Sequence, residues 1–407
     1  MSDFYQTGVV ATFHRLGNPS REQIEAELEE YSKQRPIALV LPSLFSELKR
    51  PALKHIVEQL KDVRYIRQVV VSLDKASEAD YQHAREFFSV LPQKTTVIWN
   101  AGRRVKDIME ILVQAGLHVG EEGKGKGAWT AYGYIIATGE CDVIALHDCD
   151  ILSYDRMMLA RLCYPVVNPN INYEFSKGFY SRVTDRMHGR VTRLLLTPLL
   201  RSLHKILGQQ PILAFMDSFR YALAGEFAMH TDLARVMRIP GDWGLEVGAL
   251  AEVYRNCAVQ RVCQVDIAEN YEHKHQDLSH ENADKGLLKM CVDISKSLFR
   301  TLASEGIVFS PGLFGTLTAT YVRTAQDMLK RYEDDAAING LKFDRHCESL
   351  AIEAFTKGLR MASGLIMEDP LGAPLITSWD RVTAAVPGAL TMLREAVEAD
   401  NKLPAFV

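Results

Sequence analysis

A chain of 407 residues, 47% of them hydrophobic, has enough apolar mass for one large domain or two modest ones. Its formal charge is only −4, with 47 basic against 51 acidic side chains, so no general field draws it to nucleic acid or to an anionic membrane surface. Its seven cysteines include no CxxC pair, which argues against a zinc site and fits reduced thiols in the cytoplasm.

The first residues, Met1 to Tyr5, carry neither a basic nor an apolar signal stretch, so no signal peptide is expected. No apolar run approaches the roughly 20 residues of a membrane span. Ser20, with Gln23 three positions on, predicts a capped helix running to about Lys33. Residues 1–34 are therefore expected to form a helical N-terminal extension. Short aliphatic runs then alternate with helical patterns. Strands are expected at 37–41, closing on Pro42, at 68–73, closing on Asp74, at 95–99, closing on Asn100, and at 142–146. Helices are expected at 48–60, 78–90, 105–115 and 128–137. Continuous Val/Ile/Leu strands between helices predict the α/β class, with a mainly parallel sheet covered on both faces. In such sheets ligands bind beyond the carboxyl ends of the strands. After about residue 155 the pattern changes, with strands at 174–180 and 259–267 and helices at 191–207 and 242–254. From Asn282 the chain reads as helix and carries no catalytic motif. The expected division is a catalytic domain at 35–280, with halves 35–152 and 153–280, and a helical C-terminal region at 281–407.

Asp148 and Asp150 stand one residue apart where the fourth aliphatic run ends. Both carboxylates can reach one Mg²⁺ or Mn²⁺ there, since these ions prefer hard oxygen ligands and in turn hold diphosphate. Aspartates so placed also cap helices. Upstream, Gly123-Lys124-Gly125-Lys126-Gly127 fits neither a Walker A loop nor a GxGxxG fingerprint. Its glycines permit close backbone approach, and either lysine can meet a phosphate from a turn before the helix. Downstream, Arg190 and Thr192 open a helical pattern, where amides, a guanidinium and a hydroxyl suit an anionic group. Glu246 falls in a first helical turn, a place the helix dipole alone favours for a carboxylate. His273 and His275 follow the last strand, and a histidine there could complete a metal site. Zinc is disfavoured, because no third histidine or cysteine lies at helical spacing.

Taken in order, these motifs resemble the retaining GT-A glycosyltransferases that form glucosyl-3-phosphoglycerate, with mannosylglycerate-forming enzymes as relatives. The resemblance runs from about residue 37 to 278. It implies a Rossmann-like nucleotide-diphospho-sugar transferase fold. It also implies metal-dependent transfer of a hexose, glucose in this family, from a nucleoside diphosphate sugar to 3-phosphoglycerate. On the donor side it implies that Pro42, Ser43, Leu44, Glu47, Ser72 and Asp74 hold the nucleoside. Gly123 and Lys124, in a pattern completed by Trp129, would lie near the diphosphate with Asp148 and Cys149. Asp148, Asp150 and His273 would hold Mg²⁺ or Mn²⁺. On the acceptor side it implies Arg190, Val191 and Thr192, with Trp243, Lys274 and His275 beside them. Glu246 would lie near the sugar, so Glu246, Arg190 and Lys124 make up the expected catalytic set.

The chain departs from the family at several points. Tyr271-Glu272-His273-Lys274-His275 stands where the family has Arg-Ala-His-Arg-Asn, and Trp243 replaces a tyrosine. Gln210-Pro211 lies well before Gly225-Glu226, and the helical tail is longer than in the shorter members. A mannosyl donor or a glycerate-like acceptor therefore stays open. So does a reading from another class, a nucleotide-sugar-binding regulatory protein without turnover. A haloacid-dehalogenase-type phosphatase is disfavoured, because its aspartates open the first strand and here three strands precede them. No nucleic acid or membrane partner is expected, and a homodimer is left open.

Overall fold

An aliphatic run with no polar position must be covered on both faces if it is a strand. The structure, a computed structural model describing residues 6, 8–17, 19–272 and 286–402, buries Ile37 to Leu41 completely. They belong to β2 (Ile37–Leu44). The other strands are β1 (Ala11–Phe13), β3 (Ile66–Asp74), β4 (Lys94–Trp99), β5 (Val143–Leu146), β6 (Phe175–Tyr180), β7 (Phe227–His230) and β8 (Val262–Ala268). Side chains alternate across β2 as strand geometry demands. Ala38 and Val40 enter one core, while Ile37, Leu39 and Leu41 enter the other.

The eight strands form one sheet in the order β1-β8-β6-β7-β5-β2-β3-β4. Neighbours are parallel except around β7, which runs against both β5 and β6. The carboxyl ends of β2 to β6 and of β8 therefore share one rim. The chain enters β7 at that same rim, with Phe227 opposite Leu146. This places Gly225 and Glu226 beside the aspartates that follow β5.

The N-terminal segment differs from a purely helical extension. The predicted helix is there, Arg21–Tyr31, with the Ser20 side chain accepting from the Gln23 amide. Ahead of it, however, Ala11–Phe13 extends the sheet along β8. Pro42 does not close its strand either: β2 continues through it to Leu44. β5 pairs only as far as Val40, so Pro42 lies where β2 has lost one neighbour, a place that tolerates a residue without an N–H. The glycine-lysine run is not a loop before a helix. It is the first turn of the helix Lys124–Thr138, with Gly123 at the N-cap. Glycine weakens helices, but here close packing requires it. A Cβ on Gly125 would collide with the Pro240 carbonyl, and one on Gly127 would lie 2.8 Å from Ser72 Oγ.

The helix predicted at 191–207 begins as a π-helical turn, Val191–Leu196, before the α-helix Thr197–Leu207. Pro198 has no N–H for the Leu194 carbonyl, and the Tyr321 hydroxyl donates to that oxygen instead, at 2.7 Å. The helix predicted at 242–254 starts later, at Leu245, because Asp242 Oδ1 accepts from the Gly244 amide and holds a turn before it. Residues 259–261 form a 3₁₀ turn that leads into β8.

The tail is helical as expected: Gly286–Ser304, Pro311–Ile338, Arg345–Glu368, Trp379–Ala385 and Ala389–Asn401. It packs back on the first half of the chain. The Asn401 side chain pairs with both backbone groups of Val97, covering part of the open edge of β4. Trp129 and Trp379 stack with centroids 4.2 Å apart, each indole donating to backbone of the other segment. Among the described residues, no helix is long and apolar enough to cross a membrane.

Candidate active site

Lys124 comes from the first turn of its helix, Asp148 from the end of β5, and Glu246 from the first turn of the helix Leu245–Asn256. These separate segments meet at the shared rim. The Lys124 ammonium lies 2.7 Å from Asp148 Oδ1 and 3.3 Å from Glu246 Oε1. Burial alone would lower its pKa. Asp148 and Glu246 outweigh that and hold it above the usual lysine range, so Lys124 stays charged. Gly225 makes room for this contact, since a Cβ there would sit 2.5 Å from Asp148 Oδ2.

A buried network lies beneath. Glu226 is fully buried and accepts from the Tyr180 hydroxyl at 2.8 Å and the Tyr271 hydroxyl at 2.6 Å. Burial, with Asp148 nearby, raises its pKa. The two tyrosine rings stack at 3.8 Å. Lys177, also buried, donates to the Ala224 carbonyl at 2.6 Å, and burial lowers its pKa to about 8. His147 is buried, neither ring nitrogen has a hydrogen-bond partner among the described residues, and burial drives its pKa down to about 3, so it is neutral.

At the ends of β3 and β4, Asn100 donates to Ser72 Oγ at 2.8 Å and to Asp74 Oδ1 at 2.9 Å. Burial raises the Asp74 carboxyl to about 6, against the lowering effect of Asn100. A pocket of about 400 Å³ opens beside Asp74 and Asn100, reaching Lys106, Glu122 and Lys126. Pro42, Ser43 and Leu44 pair along β2 with Ser72, Leu73 and Asp74. Glu47 lies in the short helix Phe45–Leu48 that follows, 3.6 Å from Arg50. The Cys149 side chain is buried in the core, where burial raises its thiol, so it is not available to a donor.

The third group is the turn into the π-helix. Tyr180 lies 5.1 Å from Tyr221, and a Cβ on Gly189, the residue before Arg190, would touch Tyr221 at 3.5 Å. Arg190 Nε donates to Glu348 Oε1 at 2.8 Å, and Arg193 Nη2 to Glu348 Oε2 at 3.0 Å. Glu348 belongs to the C-terminal helix Arg345–Glu368. The Arg193 and Glu348 side chains are only 12% and 6% exposed, so removing Glu348 would leave the buried Arg193 charge without its carboxylate, at a cost of about 3–5 kcal/mol. Val191 and Thr192 are buried, and the Thr192 hydroxyl has no partner among the described residues. Trp243 is exposed at the turn before Glu246.

The expected residues described above thus fall into three clusters, around Lys124, around Asp74 and around Arg190. His273, Lys274 and His275 lie outside the described residues. Reading the sequence missed Glu348, although a signal was present. It sits on the buried stripe of its helix with Ala351, Ile352 and Phe355, where a glutamate needs a partner. The role of Asn100 in fixing Asp74 was equally unread.

No protein-family model matches the chain. Over 401 residues it is 47% identical to glucosyl-3-phosphoglycerate synthase of Persephonella marina, covering 98% of this chain and 99% of the relative. The chain belongs to the glucosyl-3-phosphoglycerate synthase family. The family enzyme of Methanococcoides burtonii is 39% identical over 406 residues, covering 98% of both chains. Among solved structures, glucosyl-3-phosphoglycerate synthase of Mycobacterium tuberculosis in complex with Mn²⁺, UDP-glucose and phosphoglyceric acid aligns with a TM-score of 0.52. That match is 20% identical and covers 74% of this chain and 89% of the other. The fold is therefore GT-A, with a mostly parallel sheet and a helical C-terminal region.

Proposed function

We propose that this chain transfers glucose, with retention, from a nucleoside diphosphate glucose to 3-phosphoglycerate. The observation that carries the reading is the Lys124 ammonium between Asp148 and Glu246 at the carboxyl rim of a GT-A sheet. UDP-glucose is the first donor to test.

Asp148 and Asp150 supply hard carboxylate oxygens, and among the described residues no three metal-ligating side chains form a closed cage. That donor set fits Mg²⁺ or Mn²⁺, which are held by one or two carboxylates together with substrate phosphates. Asp148, Asp150 and His273 are the residues that would hold it. When bound, the ion neutralises charge on the departing diphosphate.

The chain's own groups do the rest. Lys124, kept charged by its two carboxylates, donates to the diphosphate oxygens as negative charge develops there. Arg190 and Thr192 bind the anionic end of the acceptor and orient its hydroxyl. That hydroxyl attacks the anomeric carbon on the face the diphosphate leaves. The carbon–oxygen bond to the acceptor forms as the bond to the diphosphate breaks, and the leaving phosphate oxygen takes the hydroxyl proton. Glu246 lies beside the sugar. Ser72, Asp74 and the neighbouring pocket support a nucleoside at the far end.

The test is mass spectrometry of products from UDP-, GDP- and ADP-glucose and GDP-mannose, each offered 3-phosphoglycerate and glycerate. Glucosyl-3-phosphoglycerate is the expected product. A preference for glycerate or for the mannosyl donor would replace this reading with its neighbour in the family. Donor binding with no product from any pair would instead support a regulatory protein. Cytoplasmic residence, which the unpaired cysteines support, and a homodimer belong to the same proposal. Sedimentation reads the dimer.

A pH dependence follows on the donor side. With its pKa near 6, Asp74 is mostly carboxylate at pH 7 and mostly protonated at pH 5. The carboxylate is the form that accepts from ribose hydroxyls. Donor KM should therefore rise by about tenfold from pH 7 to pH 5, and Asp74→Asn should give a high KM that is flat over that range. A flat donor KM in the native enzyme removes Asp74 from the nucleoside site.

A further inference from the structure

The C-terminal helices lie far along the chain from every motif of the transferase, yet one of their side chains enters its acceptor cluster. Glu348 is buried and accepts from two guanidiniums at once, Arg190 through Nε and Arg193 through Nη2. Both arginines flank the start of the π-helical turn. Arg193 is held further by the His188 carbonyl at 2.8 Å and lies over the Tyr332 ring at 4.9 Å. Tyr332 belongs to the tail helix Pro311–Ile338. Lys342, in the same tail, pairs with Asp185 at 3.0 Å and bridges backbone with Arg186. The segment that carries Arg190 is thus fastened to the tail at several points.

Arg190 is partly exposed, and its described protein contact is the one through Nε. A guanidinium held by Nε keeps its two terminal nitrogens as a fork for a carboxylate or phosphate. Glu348 also lowers the local positive charge, which confines the attraction for an anion to that fork.

We propose that Glu348 is a positioning residue of the acceptor site. It fixes the Arg190 guanidinium by its Nε edge so that the terminal nitrogens are left for the acceptor's anionic group. The inference rests on the reading of Arg190 as an acceptor ligand. It makes the helical tail part of the active site and not only a cover for the sheet.

The experiment is a cycle of Glu348→Gln, Arg190→Ala and the double variant, with Glu348→Asp alongside. Glu348→Asp keeps the charge but shortens the reach that spans two guanidiniums. For each, the KM for 3-phosphoglycerate, the KM for the donor, kcat and the calorimetric affinity for 3-phosphoglycerate are measured. Glu348→Gln should raise the acceptor KM and Kd by about tenfold, the size of one charge-assisted hydrogen bond, with the donor KM unchanged. Glu348→Asp should move the same way by less, and it carries the test if Glu348→Gln does not fold. In the Arg190→Ala background, Glu348→Gln should add nothing, because its effect passes through Arg190. Native acceptor affinity in the folded Glu348 variants, with Arg190→Ala impaired, overturns the proposal and leaves the acceptor site standing. So does an equal rise in donor and acceptor KM, or an effect that adds in full to Arg190→Ala. Unchanged acceptor affinity in Arg190→Ala overturns the acceptor reading itself.

Discussion

Asp148→Ala is expected to lower kcat by about a thousandfold, the scale of losing a main electrostatic contact to a leaving group. One carboxylate oxygen of Asp148 meets Lys124 at 2.7 Å, and the other faces the backbone at Gly225, which has no side chain to intrude. A group this closely accommodated at the end of β5 is placed for a ligand at the rim. On the proposed role the variant loses an oxygen donor for the ion, and it also loses the counter-charge of Lys124. Saturating Mn²⁺ should therefore not restore activity, whereas in the native enzyme a chelator should abolish turnover and Mg²⁺ or Mn²⁺ should return it. The check is kcat over a metal titration in both proteins. Retention of more than a tenth of native kcat by the variant would end the assignment of Asp148 to the metal.

Lys124→Met separates two roles of one side chain. In the structure the ammonium pairs with Asp148, so it competes with any cation that approaches that carboxylate. Its removal leaves Asp148 and Glu246 facing each other without a positive charge between them. Mn²⁺ should then bind more tightly, by calorimetry on the protein alone. Turnover should nevertheless fall by about a hundredfold or more, because the charge that meets the departing diphosphate is gone. Methionine keeps most of the side-chain length, so the fold should hold. Opposite movements of metal affinity and kcat distinguish this role from a merely structural one. Weaker metal binding together with near-native kcat would contradict both halves.

What was legible in the sequence follows from how the information is stored. The centres of β2, β3 and β5 are continuous aliphatic runs (Ile37 to Leu41, Val69 to Val71, Val143 to Leu146), and burial on both faces leaves that signature in the residues themselves. The Asp148 pair was legible because it interrupts such a run. The strands β1 and β7 were not, being three and four residues long and defined only by their partners across the sheet. The helix Arg156–Val167 was hidden for a related reason: it contains Pro165, a residue that reads as a break. The glycine-lysine run misled in the opposite direction. Its glycines suggest a loop, but they are there so that a helix can press against Pro240, Ser72 and Asp74. Of the candidate site, the donor and metal residues came from ordered motifs that resemble a family. The Glu348 contact with Arg190 spans 158 positions, and no spacing rule reaches that far.

The Trp129–Trp379 pair bears on how the protein is made. Trp129 lies in the helix that begins at Lys124, and Gly133 of that helix is bare where the Trp379 ring fits against it. The Trp129 indole donates to the Thr377 carbonyl and the Trp379 indole to the Trp129 carbonyl, across 248 and 250 positions. A chain growing from the ribosome completes every motif of the sheet rim well before residue 379 emerges. Until then the lysine helix packs on the sheet but lacks the Trp379 ring against its Gly133 face. Long-range contacts of this kind form late. The helix that carries Lys124 therefore gains this support only once Trp379 has joined it, and a chain released before that point would carry all the residues of the rim without it.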